Sequence, residues 1–317
     1  VISLNLNNKT NAIAEAGIIT ALTIILALIG INVFSIVMLL YPVPFIILGF
    51  RRNIRYSILS IIVSSFMLGI LIDLFTGISL MLLFGPLSVV FAHLISKKEK
   101  SYKILITTTV VFFVSVLIVI LLSGYILGIN FVEHMELSLN EAFKIQLNMV
   151  KNMGLTNYEM SKIKSMMHSA IDYMIATLPA ALVVFSGLVA YINYLISGVL
   201  LRRIGNSNID VPKFKYFRMP GNAILGILVI FIFTWIIKYF KIFYYQTIFL
   251  NVTFVILFIL FIQGLAVLVF YLDKIKINKV IKGIILVLSI IYAPMWMFVS
   301  FIGFVDSFVN FRKVKVS

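Results

Sequence analysis

The sequence predicts an all-α integral membrane protein of about nine transmembrane helices, and three observations carry this. Hydrophobic residues make up 62% of the chain and charged residues only 12%, where a soluble domain is near half apolar and a quarter charged. Apolar runs long enough to cross a bilayer recur along the chain. Lys and Arg outnumber Asp and Glu, 26 to 11, and gather in short loops after every second run, where they orient a chain in a membrane. There is no cysteine, so disulfides and thiol chemistry are excluded.

Residues 1–11 are polar and are expected to fray as an N-terminal tail. The first span, about 12–31, lacks a small-x-small cleavage site and is expected to be retained. The second, about 33–50, holds Pro42 and Pro44, which should kink or unwind it. Arg51, Arg52 and Arg55 follow with no acid close in sequence. Spans three (54–72) and four (76–96) form a hairpin that turns at Asp73 and ends on Lys97 and Lys98. The fifth span covers about 104–129.

Residues 130–168 break the pattern, because acids and lysines mix there with little net charge. Leu139, Phe143, Leu147 and Val150 share one helical face, and Gly154 suits a helix stop. Thr156 and Glu159 read as a capping box for a second helix, with Met160, Ile163, Met167 and Ile171 as its apolar stripe. An amphipathic helical hairpin outside the bilayer core is expected. A sixth span, 172–201, leads to a basic-aromatic loop at 202–220 containing Phe214, Tyr216 and Phe217 among Lys213, Lys215 and Arg218. Such a mixture suits anionic headgroups or a cytoplasmic partner, and is too short for nucleic acid. The C-terminal membrane region, 221–317, holds apolar runs at 223–237, 245–272 and 283–308. The last would be roughly 39 Å long as one helix, enough for a ninth crossing kinked at Pro294. That crossing would leave Arg312, Lys313 and Lys315 on the side the charge rule disfavours. The basic loops after spans two, four, six and eight otherwise put the N-terminus in the cytoplasm.

Two resemblances follow from these residues. The segments AEAGIITALTIILALIG, LGILIDLFTG and FGPLSVVFAHLISKK resemble the substrate-binding S-components of energy-coupling-factor vitamin transporters, over residues 12–201. The opening ITALTIILALIG, the stretch LPAALVVFSGLVAYINYLISGVLLRRIG, the loop VPKFKYFRMPGN and the terminal IGFVDSFVNFRK resemble the YybS-like family of uncharacterised bacterial membrane proteins over the whole chain. The second resemblance implies a multi-pass protein of the bacterial plasma membrane with an S-component-like front half. The first implies a small-molecule ligand, a membrane coupling subunit and a separate ATPase.

The candidate residues follow. Ala14, Gly17 and Ala21 make one small-residue face on the first span, and Ala12, Ala16 and Thr20 another. Small faces let helices approach closely, within the bundle or against a partner; in S-components such a face docks the coupling subunit. Glu15 lies beside them and either snorkels or faces inward. Asp73, Ser79, Ser123, Tyr125, Asn130, Asp172, Tyr173 and Thr177 lie at the outer ends of spans three to six. They are candidate ligand-binding groups, or simply the polar turns of an interface. His93, His134 and His168 lack metal-ligand spacing, and no GxSxG elbow or Walker loop occurs. The expectation is a protein that is not an enzyme and needs no cofactor: a small-molecule binding or transport component, or a non-transporting scaffold of the envelope. Fold alone does not choose between them.

Overall fold

The computed structural model describes residues 2–151, 156–204, 213–219, 221–240 and 244–314. Gly154, residues 205–212 of the basic-aromatic loop and Lys315 lie outside the described residues. The chain divides into two compact units, Val1–His134 with Phe185–Val211, and Met135–Val184 with Pro212–Ser317.

In the first unit α1 runs Ile2–Asn32. It is helical through the polar residues expected to fray, since a helix once nucleated in the apolar run extends at little cost. A 3-10 turn, Ser35–Leu40, then leads to α2, Pro42–Arg51. The expected second span is therefore broken where the prolines remove backbone donors. Serines from the next two helices bond to the broken segment: Ser57 Oγ donates to the Phe45 carbonyl at 2.9 Å and Ser88 Oγ to the Pro42 carbonyl at 3.5 Å. Helices α3 (Ile54–Leu71) and α4 (Leu74–Ser96) form the expected hairpin. They approach so closely at Gly77 that a side chain there would meet the Ser65 carbonyl. Helix α5, Ser101–Leu127, ends on Gly128 in the left-handed region (φ 66°). Residues 185–203 of α8 (Leu178–Arg203) complete this unit.

The centre of the first unit is filled by aromatic rings. Tyr41 packs on Phe45 and Phe84, and Phe84 on Phe112, with centroids 5.3, 5.4 and 5.6 Å apart. These rings join Phe91, Tyr194, Leu68 and Leu87 in one buried cluster. Arg51 and Arg52 are not isolated cations: both contact Glu15 of α1, at 2.8 and 2.6 Å. Glu15 thus closes the α1–α2 end of the unit with an ion pair supplied from far off in sequence.

The second unit holds most of α6 (Phe131–Lys151), then α7 (Asn157–Ala176), α9 (Gly221–Tyr239), α10 (Tyr245–Lys274), α11 (Lys279–Ile291) and α12 (Ala293–Val309). The capping box at the start of α7 is present: Thr156 Oγ accepts from the Glu159 amide, and the Glu159 carboxylate accepts from the Thr156 amide. The Thr156 amide, then the Thr156 hydroxyl, donates to the Glu159 carboxylate and lowers its pKa. Helix α7 continues to Ala176, beyond the expected end at 168, and α8 starts afresh at Leu178. The break follows from Pro179, which has no amide to continue the ladder. Asn251 of α10 covers it, donating to the Ala176 carbonyl at 2.6 Å and accepting from the Ala180 amide at 2.8 Å.

The last apolar run differs most from expectation. It is not one crossing helix, because α11 and α12 meet at a 103° bend. Helix α12 runs parallel to α10, with Ser300 against Leu257 and Asp306 against Gln263. Its C-terminal end comes back to the end of α10, where Tyr271 faces the Phe311 carbonyl at 3.5 Å. The bent pair is either a broken span or a re-entrant loop. Among the described residues six helices are long and apolar enough to cross a membrane, or seven if the bent pair is counted as one span; the nine expected are not reached there. Part of the difference lies in this pair and in the broken segment Ser35–Arg51. A re-entrant path would remove the charge objection to Arg312 and Lys313. A reporter fused after Ser317 is expected to face the same side as one inserted at Lys213; opposite signals would overturn the re-entrant path.

Candidate functional site

The small-residue faces of α1 part company in the fold. Ala12, Ala16 and Thr20 are buried. Thr20 Oγ1 lies 2.8 Å from Ser60 Oγ of α3 and donates to the Ala16 carbonyl. Ala14, Gly17 and Ala21 are exposed. Gly17 and Ala21 line an open groove of about 410 Å³ whose other wall is Leu59, Val63 and Met67 of α3. The Thr20–Ser60 pair lies in this groove. A side chain added at Gly17 would meet nothing within 4 Å. Helical period alone separates the two faces in sequence, but only the fold shows which is spoken for.

The eight outer polar candidates fall in both units. In the first, Asp73 caps α4, accepting from the Thr76 amide at 2.8 Å and the Thr76 hydroxyl at 2.6 Å. The Thr76 hydroxyl, then the Thr76 amide, holds its carboxyl below the usual range. Ser79 is half-buried, and Ser123 donates to the Ile120 carbonyl. Tyr125 is 91% exposed. Asn130 caps α6 by accepting from the Val132 and Glu133 amides. A shallow hollow of about 380 Å³ opens there between Ile120, Leu121, Gly124, Ile129 and Asn130. Of the eight candidates, Asn130 alone lines it. In the second unit, Asp172 and Tyr173 are exposed on the last turns of α7, and Thr177 is buried as its C-cap, donating to the Tyr173 carbonyl. Three of the eight, Asp73, Asn130 and Thr177, thus serve helix ends.

A polar cluster that the sequence reading did not single out lies in the second unit. Asp306 of α12 and Arg312, six residues on, are both completely buried and paired at 2.8 Å. Gln263 of α10 donates to the same carboxylate at 3.0 Å and accepts from the Met219 amide at 3.2 Å. The Arg312 guanidinium also donates to the Lys215 and Phe217 carbonyls at 2.7 and 2.8 Å. Arg218 reaches back to the Val314 carbonyl. Nearby, Asp273 holds Lys215 and Lys282 at 3.1 and 2.5 Å, and the bond from Asp273 raises the Lys215 pKa. The basic-aromatic loop is therefore fastened to α10, α11 and the segment after α12. The signal available in sequence was an acid in the last turn of an apolar helix, which is expensive unless paired.

Apolar helices, a bent helix pair and a charge-lined end together define a polytopic helical membrane protein. Residues 18–307 match the family described as "Predicted membrane protein (DUF2232)", and the chain belongs to that family. It is also similar to "Uncharacterized protein YybS" of Bacillus subtilis (strain 168), 24% identical over 97% of this chain and 99% of the relative. No solved structure matches.

Proposed function

We propose that this protein is a non-enzymatic component of the bacterial plasma membrane that receives a transmembrane helix of a partner in the groove between α1 and α3. The observation that carries this is Gly17. It opens a groove on the outer surface of the first unit, while the second small face of α1 already supplies the internal packing. Lipid tails give helices no hydrophobic reason to associate, so close backbone approach at small residues favours a helical occupant. The S-component resemblance gives the occupant the role of a coupling subunit serving a separate ATPase. Under the scaffold reading it is another envelope protein. The positive-inside pattern supports a cytoplasmic N-terminus.

Replacing Ala14, Gly17 and Ala21 together by leucine tests this. The isolated protein should keep its thermal stability, because the added side chains enter open space. A photo-crosslinker at Gly17 should give an adduct of one defined mass in native membranes, and leucines at 14 and 21 should abolish it. Unchanged crosslinking would reject the docking surface; a large loss of stability would return the face to internal packing.

The second reading, a small-molecule site at the outer ends of spans three to six, is favoured by the hollow beside Asn130. Native mass spectrometry of the purified protein tests it: a bound small molecule lost on Asn130→Ala supports the site, and a ligand-free protein removes it.

A further inference from the structure

One end of the second unit gathers cations from three distant stretches of chain. The bonds of Arg312, Lys215 and Lys282 bring residues 213–218, 273–282 and 306–314 together. They also consume both carboxylates described there: Asp273 is shared by Lys215 and Lys282, and Asp306 is taken by Arg312. Lys213, Lys274, Lys276, Lys279 and Lys313 remain exposed, with no carboxylate within ion-pair distance among the described residues. Lys276 and Lys313 hold left-handed backbone, φ 58° and 50°, in the turns after α10 and α12. Those turns keep both lysines at the helix ends.

The apolar neighbours fix the depth of this cluster. Tyr216, Ile275 and Phe311 are 46, 68 and 46% exposed, next in sequence to Lys215, to Lys274 and Lys276, and to Arg312. Aromatic and aliphatic side chains left open at the end of membrane helices lie at the headgroup boundary. Lysines on flexible stems beside them reach the phosphate layer. We propose that this end of the second unit binds anionic phospholipid headgroups, their phosphates held among the five lysines. Each lysine near an anionic surface adds attraction, and the fastening of the loop presents all five at once.

The test uses full-length protein in nanodiscs of phosphatidylcholine mixed with phosphatidylglycerol, followed by detergent extraction and native mass spectrometry of retained lipid. Wild type should retain phosphatidylglycerol over phosphatidylcholine, with retention falling as salt rises. Replacing the five lysines by glutamine should cut the enrichment at least about tenfold. Replacing all five by arginine should preserve it. Lys97→Gln, Lys98→Gln and Lys100→Gln, in another basic loop, form the control and should leave it intact. Absence of enrichment in wild type, an unaltered glutamine variant, or equal loss in the control would each overturn the proposal. If the glutamine variant fails to fold, the arginine variant and the salt series decide: enrichment that ignores salt rejects the site.

Discussion

Gly303→Val prevents α12 from seating on α10 and destabilises the second unit by about 3 kcal/mol or more, the upper range for overpacking a close contact. A Cβ at Gly303 would overlap the Leu260 carbonyl oxygen, and one at Gly264 the Val299 carbonyl oxygen. Both obstacles are backbone, so no rotamer change relieves them; the helices must separate. Separation uncovers Val299, Phe261 and Leu265, the buried cluster of this unit. Trp296 stacks on Phe261 with ring centroids 5.2 Å apart and reports the event. Its fluorescence should shift toward that of exposed tryptophan, and thermal unfolding in detergent should move to lower temperature. Gly283→Ala is the matched control: nothing lies within 4 Å of the added methyl, and alanine gains helix propensity of about 1 kcal/mol. Equal behaviour of the two variants would reject the tight α10–α12 contact.

Arg312→Ala is expected to cost about 3–5 kcal/mol, the usual penalty for leaving one member of a buried ion pair alone. The loss is double, since the Lys215 and Phe217 carbonyls lose their donor along with Asp306. The basic-aromatic loop should come free, and trypsin should cut at Lys215 or Arg218 in variant but not wild type under native conditions. Arg312→Lys keeps the charge but cannot reach the carboxylate and two carbonyls with one ammonium, so an intermediate result is expected. Adding Asp306→Asn to Arg312→Ala should recover part of the stability by removing the orphaned charge. A double variant as unstable as the single would place the effect in the carbonyl bonds instead.

Much of this architecture can be read from residue pattern, because a bilayer leaves few choices. Lengths of apolar runs mark α1, α3, α4, α5 and α10 closely, and the Thr156/Glu159 box starts α7 where expected. Pro42 and Pro44 announce the broken second span. The misses share a cause: each depends on which helix lies against which. The last apolar run has the length of a crossing, and Pro294 marks its break, but composition alone does not say how sharply the two halves bend. Only the register of Gly303 against Leu260 does so. Arg51 and Arg52 look unpaired until α1 delivers Glu15. Asp306 and Arg312 do not share a helical face; the turn at Asn310, with left-handed backbone, folds the arginine back over the acid. The outer polar residues were visible in sequence as a group, but the hydrogen bonds of Asp73, Asn130 and Thr177 are local helix caps, which a polar turn requires whether or not a ligand is bound.

The bend between α11 and α12 also bears on how the chain is inserted during synthesis. Helix α11 has 13 residues, roughly 20 Å of helix, against a hydrocarbon core of about 30 Å. Helix α11 alone is too short to cross, and α12, with 17 residues, sits at the short limit of a spanning helix. The corner exposes peptide groups that lipid does not solvate, though Trp296 covers one by donating to the Ile290 carbonyl at 2.6 Å. The surface that accepts α12 exists only once α10 is embedded with Gly264 in place. The expected order of insertion places α10 first as the template, with the bent pair seating on it afterwards.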